Sequence, residues 1–321
     1  MRLSVVLSVH NRSKLLARAL ETYLWQTLPK EEWEVVLVDD CSTEDLRAAY
    51  APFVGRMNLR HVAFDHRRHP LWKARNPSWR LGEPEDWFHT PALTTNAGCH
   101  LARGEAILLC HPEVMHAPGN FALGSEMCLR RAWAQRDLKK VHDVPPPGRD
   151  TAGAFVAGRC WLGTQATNRH FDADPFWGAG GWDAAMRAVG ADGLDYYGKE
   201  LYWYCAFVPR GAVAAVGGVD FAYLDGVAAE DDDFRVRIVR SGRLGIYERA
   251  IEALHQDHSD EGETHRDRSQ LKWKEGLARN RALYYGRRET GFPEPANAGT
   301  DWTAMECVVE DRMVSVAAAT T

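Results

Sequence analysis

The feature that most limits how this chain can fold is a pair of apolar runs near its N-terminus, Leu3–Val9 (LSVVLSV) and residues 35–38 (VVLV). Both are short, rich in β-branched residues and free of polar alternation, the pattern of strands buried on both faces in a parallel sheet. Between them Leu16, Leu20, Tyr23 and Leu24 recur at helical spacing, behind Asn11, Arg12 and Ser13, which offer a helix cap. Strand, helix and second strand make a right-handed crossover and predict an α/β fold. Ser42 or Thr43 is expected to cap a short helix reaching Tyr50, stopped by Pro52.

The same reading predicts a third strand over 58–64, a helix over 92–102, a strand at Ala106–Cys110 and a helix over 119–135. Three prolines at 145–147 exclude helix interior and central strand, and mark the best boundary between two halves. Beyond them strands are expected over 154–161, 201–208 and 251–254, with helices at Glu230–Arg240 and 268–285. The segment after Gly291 carries no readable pattern. The expected division is 1–143, 144–290 and a C-terminal tail 291–321, the first two fused into one compact unit.

Composition narrows the function classes. The 39 basic and 44 acidic side chains leave a net charge of −5, which argues against a general binder of nucleic acids or anionic membranes. No apolar run approaches the roughly 18–20 residues of a membrane span, and the chain opens directly on a strand, so a cytoplasmic protein is expected. Seven scattered cysteines without a CxxC pair suggest neither zinc nor a redox site.

In open α/β sheets ligands sit beyond the C-terminal ends of the strands. Three polar groups fall there: Ser8 and His10, Asp39 and Asp40, and His111 and Glu113. Asp40 could accept a hydrogen bond from a base N–H or a ribose hydroxyl, with His10 stacking on or bonding to the nucleoside. The competing reading of Asp39 and Asp40 is local turn and helix capping. No GxGxxG follows the first strand, so a diphosphate would need a bound metal for neutralisation, with Glu113 the obvious ligand.

Residues 228–242 (AAEDDDFRVRIVRSG) place four consecutive acids ahead of Arg235 and Arg237. Such a helix suits its own dipole, which is a structural explanation. The functional one makes a carboxylate there the general base that deprotonates an acceptor hydroxyl. His255, closing the 251–254 strand, is placed to complete a metal site. Residues 66–80 (HRRHPLWKARNPSWR) interleave basic and aromatic side chains, suiting a lid over a diphosphate, a strip for a polyanionic acceptor or a plain surface loop.

Taken together, SVVLSVHNR (4–12), VVLVDDCST (35–43), TNAGCHLARGEAILLCHPEV (95–114), VGGVD (216–220) and AEDDDFRVRIVRSG (229–242) resemble a family 2 glycosyltransferase of the GT-A fold over roughly residues 2–285. The resemblance implies a Rossmann-like, mixed but mostly parallel sheet flanked by helices, with a nucleotide-sugar half (1–143) fused to an acceptor half (144–290). It implies sugar transfer with inversion from a nucleoside-diphosphate donor, a UDP-sugar first, to a hydroxyl on a glycan or other acceptor, assisted by Mn2+ or Mg2+. Ser8, His10 and Asp40 match nucleoside-holding positions, and Asn11, Arg12, Asp39, Asn96 and His111 are assigned to the donor with them. Glu113 matches the metal-contacting acid of an Asp-x-Asp motif whose first acid is here His111, and His255 matches a further metal contact. Asp231 matches the catalytic base, with Glu230, Trp182 and Trp203 assigned to the acceptor. The alternatives are a non-catalytic nucleotide-sugar or glycan binder, and transfer to a modified nucleic-acid base.

Overall fold

The computed structural model describes residues 1–75, 91–130, 141–143, 153–164, 168, 182, 186, 205–224, 228–258 and 270–314. The two apolar runs become β1 (Leu3–Val9) and β2 (Trp33–Asp40), joined through α1 (Ser13–Tyr23). β2 leads through α2 (Leu46–Tyr50) to β3 (Leu59–Phe64), then α3 (Pro70–Arg75). After α4 (Ala92–Leu101) the chain returns to the other side of β1 as β4 (Ala106–Cys110). The order β3-β2-β1-β4 is parallel throughout, so the direction of winding reverses at β1 and opens a crevice between the ends of β1 and β4.

The remaining strands are β5 (Val114–His116), β6 (Val141–Asp143), β7 (Ala154–Leu162), β8 (Ala206–Pro209), β9 (Leu244–His255) and β10 (Val308–Val314). The remaining helices are α5 (Asn120–Leu129), α6 (Arg210–Ala215), α7 (Glu230–Arg240) and α8 (Gln270–Thr290). The full path is β10-β3-β2-β1-β4-β8-β7-β9-β5, with β6 on β9. The sheet is mixed as expected, with the parallel run in its first half and β8 antiparallel to both neighbours in its second. Because β4 bonds to β8, the sheet runs without a break from the first expected half into the second. The proline boundary at 145–147 lies outside the described residues, as does the end of the helix expected over 119–135.

Strand alternation divides the core between the two faces. Leu3, Val5, Leu7 and Val9 of β1 face Leu16, Leu20 and Tyr23 of α1 and Phe121 of α5. Val6 points the other way, into a layer with Leu93 and Ala97 of α4, Val213 of α6, and Phe234 and Ile238 of α7. Close approach of α4 to β1 depends on Gly98, where a Cβ would come within 2.5 Å of Val6 Cγ1.

The C-terminal segment differs from the tail expected. After α8 the chain crosses the α4 and α6 side, burying Ala296, Ala304 and Cys307, and ends as β10, antiparallel to β3. VVEDRMV shows no buried pattern because β10 is an edge strand, mostly exposed and charged at Glu310, Asp311 and Arg312. Pairing with β3, not its own periodicity, makes it a strand.

Candidate donor and metal site

The loop leaving β1 is held by the loop leaving β2. Asn11 and Arg12 both adopt left-handed backbone, with φ of 58° and 65°. The Asn11 side-chain oxygen accepts from the Thr43 and Glu44 amides at 2.8 and 3.1 Å, and its own amide donates to Ser42 Oγ at 2.8 Å. The N-cap position falls on Arg12, whose guanidinium has no acceptor to offer, so the cap expected from residues 11–13 is replaced by a tertiary one: the Glu44 carboxylate accepts the Ser13 N–H at 2.8 Å. With Ser42 and Thr43 bonded to Asn11, the cap of α2 passes to Asp45, which accepts from Arg47 N.

His10 Nδ1 lies 2.7 Å from the Asp40 carbonyl oxygen. Asp39 accepts from Ser42 N at 3.1 Å, with His61 Nε2 3.3 Å from its other oxygen. Burial raises the Asp39 carboxyl, but the bonds from His61 and Ser42 outweigh it and leave it below its ordinary range. Asp40 is fully buried, and its Oδ1 accepts from His66 N while lying 2.9 Å from His66 Nδ1. Ser8 Oγ shares a hydrogen bond with Thr94 Oγ1. Asn96 is clamped to Val219 in both directions, Val219 N to its oxygen at 2.8 Å and its nitrogen to the Val219 carbonyl at 3.0 Å. Gly218, with φ of 68°, is required beside it, since a Cβ would meet Asn96 Oδ1 at 2.6 Å. That clamp explains the VGGVD segment structurally.

A second group forms where β4 turns into β5. The register Val114↔His255 sets Glu113 beside the end of β9, and Gln256 N donates to the Glu113 carbonyl at 2.8 Å. Arg12 Nη1 is 3.0 Å from Glu113 Oε1, and His255 Nε2 is 3.8 Å from the same oxygen. Glu113 Oε2 is buried with no hydrogen-bond partner. Burial would push this carboxyl up; Arg12, His111 and His255 together hold it down to about 2. Burial lowers His111, and pushes His255 down to about 4. The ligand-capable atoms of Glu113, His255 and His258 all lie within 4.8 Å of one another. An ionised carboxylate among neutral imidazoles is a donor set ready for a divalent cation. His258 was missed from sequence, although its spacing of three from His255 beyond a strand end was there to be read.

Asp40, Cys41 and His66 form another close group, but Asp40 and His66 already bond to each other and burial raises the Cys41 thiol far above its usual range. That arrangement suits a hydrogen-bonded support for the loop leaving β2 better than a cation.

The acidic helix enters through two left-handed residues, Ala228 and Ala229, with φ of 69° and 72°. Burial, with Asp232 close by, pushes Glu230 up to about 7; burial and the charges of Glu230 and Asp232 raise Asp231 well above its ordinary value. Asp231 Oδ1 accepts from Asp232 N, and among the described residues Asp231 makes no hydrogen bond or ion pair with the Glu113 group. Asp233 faces inward to Arg237 at 2.7 Å, Arg287 of α8 at 2.8 Å and the Tyr223 hydroxyl at 3.1 Å, while Arg287 also reaches Asp220 at 2.8 Å. Of the four acids, the fourth is thus structural. Trp182 is buried against Met115, Ala117 and Leu254, behind the β5–β9 pair, and Trp203 lies outside the described residues. In the basic-aromatic stretch Trp72 is buried and Lys73 exposed; residues 76–80 lie outside the description.

Residues 4–77 match the family described as Glycosyl transferase family 2. A validoxylamine A glucosyltransferase of Streptomyces hygroscopicus is 27% identical over 217 residues, 60% of this chain and 50% of that protein. The likeness to the family 2 glycosyltransferases is carried by the N-terminal part of the chain, β1 to β3 and the helices between them. A poly(ribitol-phosphate) β-N-acetylglucosaminyltransferase, TarS of Staphylococcus aureus, shares 31% identity with this chain over 85 residues, 26% of the chain and 15% of TarS. The chain spans about half the length of the curated glucosyltransferase it matches, and less of the others. Among solved structures, a mannosyltransferase from Pyrobaculum calidifontis in complex with GDP-Man and Mn2+ aligns with 95% of the chain and 69% of its own, at 16% identity and a TM-score of 0.48. No helix among the described residues is long and apolar enough to cross a membrane.

Proposed function

We propose that this chain transfers a sugar from a nucleoside-diphosphate donor to an acceptor hydroxyl with inversion, with a divalent metal bound at Glu113 and His255. The observation that carries this reading is the convergence of Arg12, Glu113 and His255 in the crevice where the parallel sheet reverses its winding, with one buried Glu113 oxygen left without a partner. A buried carboxylate oxygen without a donor fits a cation, and the two residues supply ligands of suitable chemistry. When bound, the metal would act as a Lewis acid on the leaving diphosphate.

The chain's own groups carry the rest. Arg12 offers a second positive charge beside the diphosphate. The loop latched by Asn11, with His10 and the buried Asp40–His66 pair behind it, shapes the nucleoside side. Asp231, raised above the ordinary carboxylate range by burial and by two acidic neighbours, is a stronger base than a free carboxylate and would accept the acceptor hydroxyl proton during attack on the anomeric carbon. A uridine diphosphate sugar is the first donor to test.

The test couples a thermal-shift screen of nucleotide sugars, with and without Mn2+, to a transfer assay using whichever donor stabilises the chain. Asp231→Asn should lose transfer and keep the donor-induced shift. Full transfer by that variant would remove Asp231 from the role, and no shift with any donor would count against the nucleotide-sugar reading.

A further inference from the structure

Three residues beyond His255 the chain presents a second imidazole to the same place. We propose that His258 is a third protein ligand, so that Glu113, His255 and His258 form a one-carboxylate, two-imidazole site that selects a first-row transition metal ion over Mg2+. This rests on the reading that the site holds a metal.

Three observations converge. The ligand-capable atoms of the three residues lie within 4.8 Å of one another, and the His255–Glu113 gap is 3.8 Å. Ligands on one ion, at bond lengths of about 2.0–2.2 Å, stand roughly 3–4 Å apart, so a small closure completes the set. The His255 and His258 rings are 5.4 Å apart between centroids and tilted by 51°, so they are not stacked and can aim nitrogens at a shared point. Glu113 is 7% exposed, and its Oε2 is a buried acceptor with no hydrogen-bond partner.

The donor set then decides the ion. Mg2+ prefers an all-oxygen octahedron and dehydrates reluctantly, whereas imidazole nitrogen favours the later divalent ions. Replacing oxygen ligands with two imidazoles tilts the site toward Mn2+, Co2+ or Zn2+.

Mn2+ binding to the full chain, followed by electron paramagnetic resonance alone and with UDP or GDP present, tests this without a turnover assay. The wild type should bind Mn2+, resist displacement by a large excess of Mg2+, and show echo modulation from two coordinated imidazoles. His258→Asn should weaken Mn2+ binding by about tenfold or more and reduce the modulation to one imidazole. His258 is only half buried, so the variant should unfold at nearly the wild-type temperature. Wild-type Mn2+ affinity and modulation in His258→Asn, with both lowered in His255→Asn, would overturn the third ligand and leave the metal-assisted reading standing. No Mn2+ binding by the wild type under any of these conditions would overturn both.

Discussion

At the residue scale the site is a contest between burial and charge. Glu113 stays ionised in the interior because Arg12 and the imidazoles face it. Arg12→Met removes the closest of these charges and leaves a buried carboxylate poorly compensated. The expected result is a loss of roughly 3 kcal/mol or more of metal-free stability, with Mn2+ restoring more of it than it adds to the wild type. Chemical unfolding with and without Mn2+ measures both quantities.

Glu230 and Asp231 show the opposite balance, since burial and like charge favour their protonated forms. The proposed base Asp231 must be ionised to work, so activity should rise with pH above the ordinary carboxylate range. Glu230→Gln removes a negative neighbour, lowers the Asp231 pKa, and should move that rising limb to lower pH. The pH profile of kcat/KM reads the direction, and an unmoved or alkaline-shifted limb would disprove the coupling.

At the element scale, α7 is held less by its propensity than by one buried carboxylate. Asp233 and Arg237 are both fully buried, and Arg287 brings α8 onto the same oxygen pair. Asp233→Asn leaves two guanidinium groups short of charge and should cost about 3–5 kcal/mol. Asp232→Asn, on the outer side of the helix, should cost far less; equal losses in thermal unfolding would show that burial is not what matters here. β10 makes a different case. Deleting residues 308–321 removes little buried apolar surface but bares the β3 edge. The expected outcome is concentration-dependent association in light scattering, greater than the fall in melting temperature alone would produce.

On the scale of the whole molecule, the site exists only because one sheet spans both halves. Glu113 comes from the β4 side and His255 from β9, and they meet through the β5–β9 pairing. A fragment ending at residue 143 would lack His255 and leave β4 without β8. It should therefore aggregate and show no specific Mn2+ binding by paramagnetic resonance; a soluble fragment that binds the ion like the full chain would contradict this account.

The apolar runs at Leu3–Val9 and Ala106–Cys110 and the acid-headed helix Glu230–Arg240 were legible residue by residue, because a strand buried on both faces and an amphipathic helix write their periodicity into neighbouring positions. Glu113, His255 and Asp231 stood out as residue types at element ends, and the structure brings the first two together. What the amino acids alone could not settle were meetings across long sequence separation. These include the Asn96 clamp on Val219, the capture of Ser13 by Glu44, the pairing of Asp233 with Arg287, the strand identity of β10 and the arrival of His258 beside Glu113. Local sequence encodes which element forms, since that depends on neighbours in the chain. Register between distant strands decides which side chains share a site, and it emerges only when the whole core packs.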